Sequence, residues 1–227
     1  MKLETIKQKI LLTQKEFICF DDRFIGNEIK RTGLYEKETS YILYGMLFAI
    51  PYPFIFLDIG AHCGYYSSLI SGLREDIKCY AFEPVKHIYN LLLDNVKMYP
   101  NIIPINCAIG KEVEHNKKIF LDAFNSGAST FFNKDDEKYA ATEDVEVKRL
   151  TDFDINFKNV KIVKIDIEGN GFEIFIEYFN LFYPGTVFFV EFDRGIENFI
   201  NNTEIFSKCY VNHSYYDDNL MIIKIKS

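Results

Sequence analysis

The stretch Phe56-Leu57-Asp58-Ile59-Gly60-Ala61-His62-Cys63-Gly64-Tyr65-Tyr66 decides how this chain is read. It continues an apolar run from Phe54 to Leu57 that has the length and composition of a buried strand. It then turns through an acid and two glycines. An apolar-periodic stretch follows, Tyr65 to Leu73, which reads as a helix. Strand, glycine turn and helix together make a nucleotide-type pocket. The glycines let the backbone pass close to a ligand, and the helix start offers unpaired N–H groups. The spacing is Asp-x-Gly-x-x-x-Gly, so the glycine pair of a dinucleotide fingerprint is missing and an acid stands at the strand end. That favours a ligand with a cationic head over a pyrophosphate. S-adenosylmethionine, with its ammonium and sulfonium charges, fits.

On the C-terminal side the alternation continues. Lys78-Cys79-Tyr80-Ala81-Phe82 predicts a second strand ending in Glu83-Pro84. An α/β nucleotide fold places a carboxylate there to accept hydrogen bonds from ribose hydroxyls. Pro84 helps start a helix over 85–98, with Ile88, Leu91, Leu92 and Val96 on one face. Asn101 to Asn106 reads as a third strand, leading to Cys107-Ala108-Ile109-Gly110. Residues 111–150 change period. Lys118 to Phe124, Ser129 to Phe132 and Asp144 to Leu150 read as short strands of an antiparallel insertion. The small-residue loop Asn125-Ser126-Gly127-Ala128-Ser129 lies inside it. The alternation returns with a strand, Val160 to Ile165, that runs into Asp166-Ile167-Glu168-Gly169. A helix over 171–180, a strand from Thr186 to Val190 ending at Glu191, and a loosely helical segment over 195–206 follow. Cys209 to Tyr216 and Leu220 to Lys226 predict a terminal hairpin.

On the N-terminal side, residues 1–20 read as an amphipathic helix and a short strand, Phe17 to Phe20. Asp21-Asp22 begins a turn, and a helix is expected from about Glu36 to Ala49. The apolar stretch Tyr41 to Leu57 is broken by Pro51 and Pro53, so a buried helix and strand explain it better than a membrane span. The first residues lack the unbroken apolar core of a signal peptide. The expectation is one domain, 1–227, in which an N-terminal helical segment, 1–50, packs on or caps the ligand site of a Rossmann-like core, 54–227.

The 227 residues are 48% hydrophobic and 26% charged, enough for a folded α/β core. Lys plus Arg is 26 and Asp plus Glu is 33, a net charge of −7. Binding to a nucleic-acid backbone relies on clustered Lys and Arg, and no basic run appears, so a nucleic-acid substrate is disfavoured. Five scattered cysteines without a Cys-x-x-Cys pair read as reduced thiols in a cytoplasmic protein. The four histidines show no metal spacing.

Four anchors now stand in order: Asp58-x-Gly60-Ala61-x-x-Gly64, Phe82-Glu83-Pro84, Asn106-x-Ala108-Ile109-Gly110, and Lys164-Ile165-Asp166-Ile167-Glu168-Gly169. Over roughly residues 54–192 they resemble the FkbM-type methyltransferases, a bacterial-rich family of S-adenosylmethionine-dependent enzymes. The resemblance implies an α/β fold of the class I methyltransferase type. That is a Rossmann-like, seven-stranded, mostly parallel sheet with helices on both faces and an antiparallel terminal hairpin. The small β insertion around 111–150 is read from the change of period in this sequence. The resemblance also implies O-methylation of sugars, surface-polysaccharide precursors or secondary metabolites. Two departures stand out: His62 where the family often has Asn, and Gly171 where a second Glu is common. Any job of that Glu is absent here or passes to Glu173.

The residues expected to hold the cofactor are Glu36, Asp58, Gly60, Ala61, His62, Gly64, Tyr65, Glu83, Pro84, Asn106, Ala108 and Asp166. Asp58 and the Gly60–Gly64 turn would take the methionine end and Glu83 the ribose. Asn106 and Ala108 would flank the adenine. Asp166, Glu168 and Glu191 are the catalytic candidates, at the carboxyl edge of the sheet where ligands sit. Paired carboxylates there could polarise a hydroxyl, take its proton or bind a divalent cation, though no metal ligand set is indicated. Equally, one of them could cap the following helix. Two other readings stay open: a non-catalytic S-adenosylmethionine-binding module, and a nucleotide-dependent enzyme on a similar sheet. The acceptor would be a small molecule or glycan. No membrane insertion is expected.

Overall fold

The computed structural model describes residues 4–122, 125–131, 141–191, 203–216 and 219–226. Its centre is strand β3 (Ile55–Ile59), every residue of which is buried. Both faces of such a strand must be covered, which is why it reads as a continuous apolar run. Helix α3 (Tyr65–Leu73) follows it, then β4 (Lys78–Phe82), α4 (Lys86–Val96) and β5 (Ile102–Ile105). Further along come β9 (Val160–Ile165), α5 (Gly171–Tyr178) and β10 (Val187–Glu191), then a four-residue helix α6 (Thr203–Phe206) and the hairpin β11 (Cys209–Tyr216) and β12 (Asn219–Lys224). Seven of these strands form one sheet in the order β11-β12-β10-β9-β3-β4-β5. Neighbours from β10 through β5 are parallel, and β12 pairs antiparallel with both β10 and β11.

Alternate residues of the strands feed two cores. Phe56, Cys79, Ala81, Ile162 and Phe189 pack with Leu69 and Ile70 of α3 and Leu91 and Leu92 of α4. Leu57, Phe82, Val163, Ile165 and Phe188 pack on the other face with Phe175 of α5 and Phe179. This is the expected mostly parallel, seven-stranded, Rossmann-like sheet with helices on both faces. The strand order reverses between β3 and β9, so their carboxyl ends splay around a crevice.

The insertion is a separate three-stranded sheet of β6 (Ala108–Ile109), β7 (Glu114–Leu121) and β8 (Ala141–Lys148) in the order β6-β8-β7. The β7–β8 pair is antiparallel as expected, but β6 joins β8 in parallel. The expected strand at Ser129 is a single bridge between Phe120 and Thr130. The expected helix over 195–206 lies mostly outside the described residues.

The N-terminus departs from expectation. The strand predicted at Phe17 to Phe20 is there as β2 (Glu16–Phe20), but the helix predicted before it is a strand, β1 (Thr5–Lys9), and the two form a hairpin closed by a turn in which Gln14 takes φ 57°. Lys and Glu between apolar residues suit either period, and here the period is two. Lys7 meets Glu16 across the pair at 2.7 Å. The turn at Asp21-Asp22 leads into a helix that was not foreseen, α1 (Ile25–Thr32), ended by Gly33 at φ 75°. Helix α2 (Lys37–Ala49) stands where expected. Among the described residues no helix is long and apolar enough to cross a membrane.

Candidate active site

The wall of the site begins where β3 ends. Gly60 has φ 84°, and a Cβ there would sit 1.8 Å from the carbonyl oxygen of Asp166. Only glycine allows the β3 and β9 ends to approach this closely. The Gly60 and Ala61 N–H groups both donate to the Phe82 carbonyl, at 3.0 and 2.9 Å, and the Asp166 N–H donates to Ile59 at 2.9 Å. Three strand ends are thus laced together by main chain. Gly64 (φ 82°) caps α3, and its Cα faces Leu92 so closely that a Cβ would lie 2.4 Å from that side chain.

Beneath the splayed ends lies a cavity of about 430 Å³. Of the expected cofactor residues, Glu36, Gly60, Ala61, His62, Tyr65, Glu83, Pro84, Ala108 and Asp166 line it. Asp58, Gly64 and Asn106 do not. Asp58 is buried behind the wall, where its Oδ2 accepts from the Ser67 backbone at 3.1 Å and hydroxyl at 2.6 Å. It fastens α3 to β3, and burial pushes its carboxyl up to about 6. Asn106 donates to the carbonyls of Glu83 and Pro84 at 2.9 and 2.8 Å, so it braces the β4 turn. Gly64 acts through helix packing. These three thus stand behind the cavity wall rather than on it.

Glu83 is buried at the cavity edge. Its two oxygens accept from the backbone N–H groups of His62 (3.0 Å) and Val85 (2.8 Å). Burial nonetheless pushes its carboxyl up to about 8. Next to it, Pro84, Val85, Cys107, Ala108 and Ile109 form an apolar slot. His62 lies beside Phe20, and burial lowers its ring to about 4, so it is neutral at ordinary pH.

The other end of the cavity is charged. Glu28, Glu36, Asp166, Glu168 and Glu191 all line it. Below the wall lies Lys164, with no exposed side-chain surface. Its Nζ is 2.6 Å from Asp166 Oδ2 and 3.7 Å from Glu36 Oε2, and it sits 5.2 Å over the Tyr66 ring. Glu36 Oε2 also accepts from the Tyr66 hydroxyl and from Asn219 Nδ2 at 2.9 Å. Burial opposes the charge of Asp166, but Lys164 and the hydrogen bond from Glu191 together more than offset it and the carboxyl stays below its usual range. Glu191 is pushed the other way, first by the charge of Asp166 and then by burial, and holds its proton as a donor to Asp166. Burial also raises Glu36 against the pull of Lys164. Glu173, the expected stand-in for the Glu missing at Gly171, is exposed on α5 and lies off the cavity.

A roof completes the site. The buried Asp22 accepts from the Phe24 and Gly26 N–H groups and, at 2.7 Å, from the Ser126 hydroxyl. This ties the start of α1 to the Asn125-Ser126-Gly127 loop, and both line the cavity. Sequence reasoning assigned no role to Lys164, Asn219, Glu28 or Asp22. A lysine inside the apolar run Val160 to Ile165 was the available signal for the first, since a buried cation needs carboxylates around it.

A search of curated proteins found no match. Solved structures share the fold. A caffeoyl-CoA O-methyltransferase, so described provisionally, from Staphylococcus aureus is 13% identical with a TM-score of 0.54, covering 87% of this chain and 88% of that one. A methyltransferase from Methanococcus maripaludis, described as S-adenosyl-L-methionine-dependent, is 14% identical with a TM-score of 0.50, covering 88% and 90%. The model of the methyltransferase FkbM domain matches residues 58–210. With the cavity at the strand ends and this match over most of its length, the chain belongs to the FkbM family of S-adenosylmethionine-dependent methyltransferases.

Proposed function

We propose that the protein methylates a hydroxyl oxygen on a sugar, polysaccharide precursor or secondary metabolite. The observation that carries this reading is the cavity's division into an apolar slot beside Glu83 and a carboxylate-lined end around Asp166. That division fits S-adenosylmethionine, which has a ribose and a flat base at one end and positive charge at the other. The close main-chain approach at Gly60 makes the cradle between them.

In this reading Glu83 receives the ribose hydroxyls, whose donation favours its ionised form. Pro84, Val85, Ala108 and Ile109 sandwich the base. Asp166 and Glu36 face the cationic end. The bound cofactor supplies an activated methyl on sulfur, so the chain's task is alignment in a water-poor cavity and disposal of one proton. Three carboxyls were candidates for that proton. Asp166, paired with Lys164, is a weak base, and Glu191 already holds a proton. Glu168 lines the cavity on the same edge and is assigned the role. Among the described residues no group of three or more His, Cys, Asp or Glu side chains could hold a metal ion. The five cysteines are free thiols, four of them buried, which supports a cytoplasmic setting.

The test is calorimetric binding of S-adenosylhomocysteine, with NADH as control, followed by mass spectrometry of hydroxyl acceptors incubated with S-adenosylmethionine. Micromolar binding and methylated product, the product abolished in E168Q with binding retained, are expected. Binding without transfer to any acceptor would favour a non-catalytic module. Binding of NADH instead would sink the methyltransferase reading.

A further inference from the structure

We propose that Lys164 is a positioning residue that clamps Asp166, at the end of β9, and Glu36, ahead of α2, into one charged bracket for the cationic end of the cofactor. The proposal rests on the reading above. Lys164 does not line the cavity, whereas both carboxylates do. Its ammonium contacts Asp166 at 2.6 Å and Glu36 at 3.7 Å. It therefore joins the sheet edge to a segment over a hundred residues away in sequence.

Packing does not account for it. Lys164 is fully buried in a strand whose other interior residues are Val160, Ile162, Val163 and Ile165. An apolar side chain would fill that space without the cost of taking a cation out of water. Asp166, by contrast, keeps 24% of its side chain exposed, to the cavity. One end of the bracket is thus buried and the other presented to a ligand.

The electrostatics agree. The groups facing Asp166 are Lys164 on its own strand, Glu191 on β10, Tyr35 and Glu36 ahead of α2, Asp58 on β3 and His62 in the turn after β3. His62 is neutral at ordinary pH, so among these Lys164 is the standing cation. Four carboxyls crowd one site, and Lys164 favours the charged form of each, with the hydrogen bond from Glu191 adding to its pull on Asp166. Glu191 then serves it as a hydrogen-bond donor.

The test is calorimetric binding of S-adenosylhomocysteine, which keeps the ammonium, to wild type, K164M, D166N and the double variant. Titrations run from about pH 8 to about pH 5. The affinity of K164M relative to wild type should fall about tenfold or more as the pH drops, because Asp166 then protonates within the range. In the D166N background the same substitution should give a smaller loss that changes around pH 7, which reports Glu36 alone. An equal, pH-independent loss in both backgrounds would make Lys164 a packing residue and overturn the proposal. Absence of binding by the wild type would instead overturn the cofactor reading beneath it. Should K164M not fold, carbon-13 NMR of the wild-type carboxyls decides the matter. The Asp166 signal should remain that of a carboxylate down to about pH 4, and titration above that value overturns the bracket.

Discussion

Gly60 and Lys164 belong to neighbouring strand ends, β3 and β9, yet they shape the cavity by opposite means. At Gly60 the wall is main chain: carbonyls and N–H groups of Ile59, Phe82 and Asp166 interlock within 3.0 Å. At Lys164 the wall is side chain: one ammonium arranges Asp166 and Glu36. A wall built from main chain is vulnerable to added atoms and indifferent to pH. A wall built from charges tolerates small changes of shape and responds to protons.

The largest effect is expected from G60A. The new Cβ would lie 1.8 Å from the Asp166 carbonyl oxygen at a backbone φ of 84°. Relief requires β3 and β9 to part at the cavity, so stability should fall by about 3 kcal/mol or more. Urea denaturation measures this. A variant as stable as the wild type would break the account of the backbone-built half.

E83Q tests the border between the halves. Glu83 is held by backbone N–H groups, but it is also a buried acid raised from 4.5 to about 8. The folded protein keeps this proton at pH values where the unfolded chain has lost it. The stability it contributes is therefore complete below about pH 4.5 and is lost as pH rises through about 8. Glutamine does not titrate. E83Q should therefore gain stability relative to wild type between these limits, by about 1–3 kcal/mol. Denaturation midpoints of both proteins at the two ends of the range give the sign. The same variant should bind S-adenosylhomocysteine about tenfold to a hundredfold more weakly, through loss of charge-assisted hydrogen bonds.

The same division explains what could be read from the sequence. Main-chain devices leave local signatures. Gly60 and Gly64 follow an apolar run, and Glu83-Pro84 ends the next one, so β3, β4, β9 and their turns are legible within a residue or so. The mixed patterns are less so. Residues 5–9 alternate exposed and half-buried positions, but their Lys and Ile also suit a helix, and only the pairing with residues 16–20 settles the period. Helix α1 had signals that were passed over: Glu28 in its first turn, Lys30 and Arg31 in its last, and Gly33 beyond. The charged bracket is not local at all. Glu36, Tyr66, Lys164 and Asn219 are brought together from four separate elements, and no spacing within one motif announces such a contact. Asp58 shows the reverse case. Its place in the motif suggests a ligand contact, but its side chain turns back to Ser67.

The smallest effect is expected at the other glycine of interest, Gly171, where family members often carry Glu. Here a Cβ would meet the Glu191 carbonyl oxygen at 3.3 Å and next the side chains of Ile165 and Val190, at 3.6 and 3.7 Å. A small shift accommodates it, and the backbone needs no positive φ. The position opens α5, where an added carboxylate complements the helix dipole. G171E should therefore fold, with stability within about 1 kcal/mol of wild type by urea denaturation. A loss as large as that expected for G60A would mean that main chain constrains this edge too, and that the contrast between the halves is drawn in the wrong place. A near-neutral result separates two glycines at one sheet edge by what surrounds them. One is held by a backbone that leaves no room, and the other faces neighbours at or near ordinary contact distance that can give way.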